Sequence, residues 1–350
     1  MPPASKNASC TEAGRLEQGL PAGATVLVTG ATGLTGQVLL RKLCDRDIHV
    51  RAIARPSSRR EHLRNLPVEW FVGQVYDRDL AVRAMDGVSV VFHVAAAFRD
   101  PGISNEEYRR VHVVSTRNLA EAAGQQRGFQ RFVLISTVGV HGHIESPPAD
   151  ETAPFRPGDI YQETKAEAES WLHDFASANG LPYAVIRPAA IYGPGDRRLL
   201  KVFRLAKAPV FPILGRGRCL YHLIHVDDLT NAILRAGWHP AADGEAFICG
   251  DAEAIALEQM GRIISDELGR PFRPLRVPAW PFFAMAAVTE AVCRPLKLRP
   301  PIYRRRVAFF TKDRSFDTRK IRNVLGFEPR WSSEKGLRAA ARWYREQGWL

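Results

Sequence analysis

Tyr161 and Lys165 stand four residues apart in the segment Ile160-Tyr-Gln-Glu-Thr-Lys165. On a helix, positions i and i+4 share a face, so a phenol and an ammonium would lie side by side. A phenol with an ordinary pKa of about 10 is a poor base at neutral pH. A neighbouring positive charge favours its phenolate, and such a pair can take a proton from a hydroxyl or return one to a carbonyl oxygen. The spacing is common, and alone it describes an exposed pair on a solvated helix equally well. A second signal upstream decides between the two.

That signal is Thr25-Val-Leu-Val-Thr-Gly-Ala-Thr-Gly-Leu-Thr-Gly36, an apolar strand running into three glycines and then into an apolar helix from Val38. Gly30 permits a tight turn, Gly33 removes a side chain that would block phosphates, and Gly36 lets the helix pack close on the strand. Free N–H groups at the helix start add a dipole-aligned anion site. The turn Gly30, Thr32, Gly33, Leu34, Thr35 and Gly36 is therefore the expected seat of a dinucleotide pyrophosphate.

The elements that must position these groups follow a regular alternation. Strand-like runs cover Thr25–Thr29, Val50–Ala54, Glu69–Val72, Val88–Val94, Arg131–Ile135 and Tyr183–Arg187, with helical stretches at about 37–45, 78–85, 106–124 and 161–178 between them. Such alternation predicts an α/β fold, a doubly wound parallel sheet with right-handed crossovers. After Tyr192-Gly-Pro-Gly-Asp196 the pattern breaks up among prolines and glycines. The expected organisation is a disordered lead-in over 1–22, a dinucleotide-binding domain over 23–192, and a lobe over 193–350.

With 350 residues, 45% hydrophobic and 25% charged, the composition is that of an ordinary globular protein. The five cysteines are scattered without metal-ligand spacing, so no metal site is expected and a reduced, cytoplasmic setting is. The net charge of +12 describes a solvated basic surface or attraction to anionic lipid or a phosphorylated ligand. Dispersed arginines without interleaved stacking aromatics argue against nucleic acid.

The TGxxGxxG turn and the YxxxK pair together resemble the extended short-chain dehydrogenase/reductase family, over a span from Thr25 to the C-terminus. The resemblance is to the branch of 3β-hydroxysteroid dehydrogenases, sterol dehydrogenases and dihydroflavonol-type reductases. It implies a Rossmann fold whose C-terminal part forms a small substrate-binding lobe, with some elements returning to the main domain. It also implies that Tyr161 moves a proton while hydride passes to or from a nicotinamide, and that Lys165 holds the nicotinamide ribose. In Phe132-Val-Leu-Ile-Ser-Thr-Val-Gly-Val-His-Gly142 the register puts Thr137 at the position that hydrogen-bonds substrate oxygen, with Ser136 beside it.

The resemblance assigns further cofactor contacts. In Phe92-His-Val-Ala-Ala-Ala97, His93, Ala95 and Ala96 fall beside the cofactor ribose, with His93 also open to an acid–base role, and Pro188 falls near the carboxamide. Relatives carry Gly-Asp after the third strand, whereas this chain has Gly73-Gln74-Val75, an amide in place of the carboxylate that meets adenine. NAD-preferring relatives end the second strand in an aspartate; here the matching residue is Arg55, followed by Ser57, Ser58, Arg59 and Arg60. A guanidinium among hydroxyls suits a 2′-phosphate, which favours NADP over NAD.

Two features bear on substrate. Sugar-nucleotide enzymes of the family place a diphosphate-clamping arginine where Tyr221 stands in Tyr221-His-Leu-Ile-His-Val-Asp-Asp228. Pro278–Thr289 is an apolar run with arginines and a lysine after it, too short to span a bilayer, and reads as a packing helix, a pocket wall or an interfacial helix. The expectation is an oxidoreductase that interconverts a secondary alcohol and a ketone on a hydrophobic substrate such as a 3β-hydroxysteroid or sterol. It would be a homodimer through the helices around 106–124 and 161–178, with peripheral membrane contact through 278–306. The alternatives are a nucleotide-sugar epimerase, dehydratase or reductase, and a non-catalytic NAD(P)-sensing protein.

Overall fold

The computed structural model describes residues 22–97, 102–215, 217–293, 301–302, 304, 307 and 313–350. The lead-in expected over 1–22 lies outside them except for Ala22, as does part of 278–306. Among the described residues thirteen strands run in chain order: β1 Thr25–Thr29, β2 His49–Ala54, β3 Val68–Val72, β4 Val90–His93, β5 Arg131–Ile135, β6 Tyr183–Pro188, β7 Ala190–Tyr192, β8 Phe211–Leu214, β9 Leu220–Tyr221, β10 Leu223–His225, β11 Glu245–Cys249, β12 Ile255–Ala256 and β13 Pro274–Val277. The α-helices are α1 Leu34–Cys44, α2 Arg78–Met85, α3 Asn105–Arg109, α4 Ser115–Gly124, α5 Ile160–Asn179, α6 Leu200–Lys207, α7 Val226–Trp238, α8 Leu257–Glu267, α9 Trp280–Cys293, α10 Arg319–Leu325 and α11 Ser333–Glu346. A π-helical turn, Arg110–Val114, joins α3 to α4.

Seven strands form one sheet in the order β11-β6-β5-β4-β1-β2-β3, every pair parallel. The central strands are continuous apolar runs such as Val26-Leu-Val28 and Val90-Val-Phe92, as required of strands covered on both faces. One face packs Leu39, Leu40, Leu229 and Ile233 from α1 and α7, and the other packs Leu80, Leu119 and Leu172 from α2, α4 and α5. The chain winds outward from β1 to β3 and then resumes at β4 on the other side of β1. That reversal opens a crevice at the carboxyl ends of β1 and β4, the place where doubly wound sheets bind ligands.

The six strands and four helical stretches expected from the sequence are all present, most within a residue or two, but α1 starts three residues earlier at Leu34, the stretch at 106–124 is broken by the π-helical turn, and Val88–Val94 shortens to β4. The seventh strand comes from the C-terminal part: β11 adds to β6 in register Glu245↔Ala184 through Cys249↔Pro188. Of the other C-terminal elements, α7 and α10 pack on the main sheet through Leu229, Ile233, Ile321 and Leu325, whereas α6, β8, α8 and α11 build a second core around Phe203, Phe211, Met260, Leu337 and Tyr344. Among the described residues no helix is long and apolar enough to cross a membrane.

Candidate active site

The glycine turn shows three different reasons for three glycines. Gly30 has φ +66°, and a Cβ there would meet the Ala95 backbone N at 2.7 Å. A Cβ on Gly36 would come within 2.1 Å of the Gly30 carbonyl oxygen. Both glycines are thus demanded by the close approach of α1 to β1 and of the turn to the β4 tail. Gly33 differs: its Cβ would touch only the Gly30 oxygen at 3.3 Å, so its open side faces the crevice. Gly33 is also the N-cap of α1, without a side-chain cap and without an acidic residue in the first turn. Uncapped N–H groups and an uncontested dipole make an anion seat. These residues fit a dinucleotide.

The α5 helix carries the reactive pair, and local sequence explains its bounds. Asp159 caps the start by accepting from the Gln162 N–H at 2.9 Å, and Gly180 ends the helix in the left-handed region at φ 65°. Lys165 is buried, and its Nζ donates to the Ile135 carbonyl at 2.8 Å and to the Ala95 carbonyl at 3.5 Å. It therefore ties α5 to the ends of both β5 and β4. Burial pulls the Lys165 pKa down from 10.5 to about 8, against the opposing charge of Glu169 one turn on. Tyr161 is half-buried on the same face.

Thr137 follows β5, half-buried, with its Oγ1 accepting from the Gly139 N–H at 3.0 Å and so capping a short 3-10 turn. That bond fixes the hydroxyl oxygen while leaving its proton to donate. The Gln162 side-chain amide and Thr137 Oγ1 lie together beside Gly139. The neighbouring Ser136 is buried, and its Oγ has no hydrogen-bond partner. An unpartnered buried hydroxyl next to Thr137 is consistent with a cofactor or water contact there.

The β4 tail is held at three points. Ala95 N–H donates to Thr29 Oγ1 at 3.2 Å, Ala95 O accepts from Lys165, and Ala97 N–H donates to His112 Nε2 at 3.0 Å. Ala96, between them, is exposed. Arg55 and Gln74 are exposed just past β2 and β3, Val75 is buried, and Pro188 is buried at the end of β6. Arg60 lies over the Trp70 ring at 5.6 Å, which leaves Arg55 and Arg59 as the exposed cations of that loop.

His93 departs from expectation. Rather than a ring free to meet a ligand, it has both ring nitrogens engaged within the core. Ser115 donates its hydroxyl to the Val111 carbonyl at 2.5 Å, so it accepts from His93 Nε2–H at 3.0 Å; Nδ1 then accepts from Thr29 at 2.7 Å. Burial, with Lys165 nearby, lowers its pKa to about 3, so the ring is neutral at any working pH. His93 welds β1, β4 and α4 together beneath the crevice.

His112 belongs to the site and was missed in the sequence. The π-helical turn carries it inward, where its ring meets Tyr161 edge to face at 5.4 Å. Since Nε2 accepts from Ala97, Nδ1 carries the proton and donates to Thr164 Oγ1 at 2.7 Å. Burial first, then the positive charge of Lys165, lowers its pKa to about 2. The available signal was a histidine on the apolar stripe of an otherwise ordinary helix. Behind α5, Arg187 pairs with Glu169 at 2.6 Å and lies over the Phe155 ring, both partners of the ion pair being buried. This pair fixes α5 against β6.

Tyr221 is buried in the core of the C-terminal elements, paired with Ile255 across β9 and β12. Among the described residues no group of His, Cys, Asp or Glu is arranged to hold a metal ion.

The chain belongs to the NAD dependent epimerase/dehydratase family, which it matches over residues 26–250. It is 31% identical to the 3 beta-hydroxysteroid dehydrogenase/Delta 5-->4-isomerase of Mycobacterium tuberculosis, over 91% of this chain and 90% of that protein. It is 29% identical to sterol demethylase protein B of Methylococcus capsulatus, over 93% of this chain and all of the relative. Among solved structures, that of gox2253 superposes with a TM-score of 0.80 at 28% identity, covering 93% of this chain and 99% of the other.

Proposed function

We propose, from membership of that family, that this protein is a nicotinamide-dependent oxidoreductase interconverting a secondary alcohol and a ketone on a 3β-hydroxysteroid or sterol. The observation that carries the reading is Lys165: a buried ammonium, held by the carbonyls of two strand ends, on the same helix face as Tyr161 and at the crevice that the glycine turn opens. A bound nicotinamide supplies the hydride acceptor for oxidation or the donor for reduction. Gly30, Thr32, Gly33, Leu34, Thr35 and Gly36 would hold its pyrophosphate, Gln74 and Val75 its adenine, and Ala95, Ala96, Ser136 and Pro188 its nicotinamide half.

The remaining chemistry falls to side chains of this chain. Thr137 donates its hydroxyl proton to the substrate oxygen and fixes that oxygen in front of Tyr161. In oxidation the Tyr161 phenolate takes the hydroxyl proton as the carbon loses hydride, and in reduction the phenol returns it. Lys165 favours the phenolate by charge and has a third N–H to offer a ribose hydroxyl. His112 braces the Tyr161 ring and the β4 tail without titrating.

Two relatives named for hydroxysteroid and sterol chemistry support a hydrophobic ring system as substrate. The buried Tyr221 supports it too, since a core tyrosine stands where the resemblance implies a diphosphate clamp. In thermal melts with cofactor present, a 3β-hydroxysteroid is expected to raise the midpoint and UDP-glucose to leave it unchanged; the reverse result assigns the site to sugar nucleotides. Arg55, exposed at the end of β2, supports NADP as the preferred cofactor. Arg55→Ala should then weaken NADP binding and spare NAD; equal affinities in the unaltered protein would overturn that preference. The proposal includes a homodimer through the helices around 106–124 and 161–178, which a monomer in sedimentation equilibrium would remove.

A further inference from the structure

The α9 helix is apolar on both sides. Phe282, Phe283, Ala286 and Thr289 turn toward the protein, with only Ala286 fully buried, and the Thr289 hydroxyl is tied to the Ile302 carbonyl at 2.5 Å. At 3.6 residues per turn the opposite side gathers Trp280, Ala284, Met285, Val288, Ala291 and Val292 on one arc of roughly 140°. None of these six is polar and all are exposed: Trp280 by 72%, Val288 by 62%, Val292 by 56% and Met285 by 42%. Just before the helix, Leu275 is also half exposed. Uncovered apolar surface of this extent marks a contact site.

Charge identifies what covers it. From Arg270 to Arg306 the sequence carries nine basic residues and one acid, Glu290, so eight of the chain's twelve net positive charges fall in 37 residues. Arg270, Arg273, Arg276 and Arg304 are exposed. Glu290 is already engaged, accepting from the Arg304 backbone N–H at 2.8 Å and lying 3.7 Å from its guanidinium. A second copy docked by this face would bring basic flank against basic flank, which a self-complementary contact disfavours. At 14 residues the helix is about 21 Å long and cannot span a bilayer.

We propose that α9 lies in the plane of an anionic phospholipid bilayer, with Trp280, Met285, Val288 and Val292 in the acyl boundary and the exposed Arg270, Arg273, Arg276 and Arg304 at the headgroups. The seat is peripheral and reversible, of the kind that an apolar helix face and a basic flank make together. It goes beyond the reaction and does not depend on it, although a lipid surface is where a sterol-like substrate would be met.

The test is co-sedimentation of the full-length protein, without cofactor or substrate, with vesicles of phosphatidylcholine alone or mixed with phosphatidylglycerol. Binding to the mixed vesicles at low salt is expected, falling at least roughly tenfold on neutral vesicles or in high salt. Val288→Glu combined with Val292→Glu, both at exposed positions, should lower binding by a similar factor. It should leave turnover of a dissolved alcohol unchanged, so loss of activity and loss of lipid binding are read separately. As a second readout, brominated lipid should quench the unaltered protein more than Trp280→Phe. No binding to mixed vesicles, undiminished binding of the double variant, or equal quenching of the two proteins overturns the proposal. Conversion of a dimer to a monomer by the double variant also overturns it, and assigns the face to a second copy.

Discussion

Lys165→Met separates what this side chain does for the reaction from what it does to the fold. Burial lowers the folded pKa of Lys165 from 10.5 to about 8. At 1.36 kcal/mol per pH unit, the charged lysine therefore opposes folding by about 3 kcal/mol at pH 7. The sign follows from the cation being the disfavoured form: the penalty is fully present below pH 8 and is relieved as pH rises from about 8 to 10.5. Methionine removes the penalty but leaves the carbonyls of Ile135 and Ala95 without their donor, a loss of about 1–3 kcal/mol. The variant should thus be between equally stable and about 2 kcal/mol more stable than the parent at pH 7, and less stable by about 1–3 kcal/mol near pH 10.5. Urea unfolding at the two pH values measures this, and the stability gap should change by about 3 kcal/mol between them. Turnover of the same variant should fall by about 10²–10⁴. A gap that stays constant with pH would refute the reasoning, because it would mean that the amine titrates in the folded protein as it does in the unfolded chain, with no burial penalty. Some loss of stability is then the direct cost of a reaction centre.

Tyr161→Phe keeps the ring packed on His112 and removes the proton carrier, so turnover should fall at least about 10²-fold with cofactor affinity within a few fold, as read by fluorescence titration. His112→Ala takes away the edge contact to Tyr161 and the acceptor of the Ala97 N–H. A loss of about tenfold or more in kcat with little change in KM is expected, and restored turnover on shifting the pH would contradict a purely positioning role. Asp251, buried and accepting from the Ser333 hydroxyl at 2.6 Å, has its pKa pushed up to about 7 by burial, with Asp228 adding to it. For an acid shifted upward, stability is lost as pH rises from about 4 through 7, so Asp251→Asn should stabilise the protein by about 2–4 kcal/mol at pH 8 and by nothing at pH 4. Equal midpoints at pH 8 would show that Asp251 is not penalised.

Much of this site could be read from residue order because its determinants are local. The glycine turn encodes a close approach that leaves no room for a Cβ, and the four-residue spacing of Tyr161 and Lys165 becomes a shared face in any helix. What could not be read depends on contacts far apart in the chain. Lys165 is defined by carbonyls 30 and 70 residues away, and the protonation of Lys165 by burial among them. His93 sits beside the crevice in sequence, yet partners at Thr29 and Ser115 draw its ring into the core. His112 required a π-helical turn that no residue pattern announces. The seventh strand, β11, was hidden because a four-residue apolar run, Ala246–Cys249, between Glu245 and Gly250 lies well past the point where the strand–helix alternation breaks. Tyr221 was read as a missing clamp, and its burial adds that the position belongs to a core rather than to a pocket wall.

The central claim is that this site removes hydride from a secondary alcohol on a steroid-like ring. Incubating the purified protein with a 3β-hydroxysteroid and either NADP⁺ or NAD⁺, and following the near-ultraviolet absorbance of reduced nicotinamide, tests it most directly. The account predicts a steady rise, faster with NADP⁺, that is abolished by Tyr161→Phe. A rise that survives Tyr161→Phe, or no rise with either cofactor in the oxidative direction together with no consumption of reduced cofactor by the matching 3-ketosteroid, would contradict it.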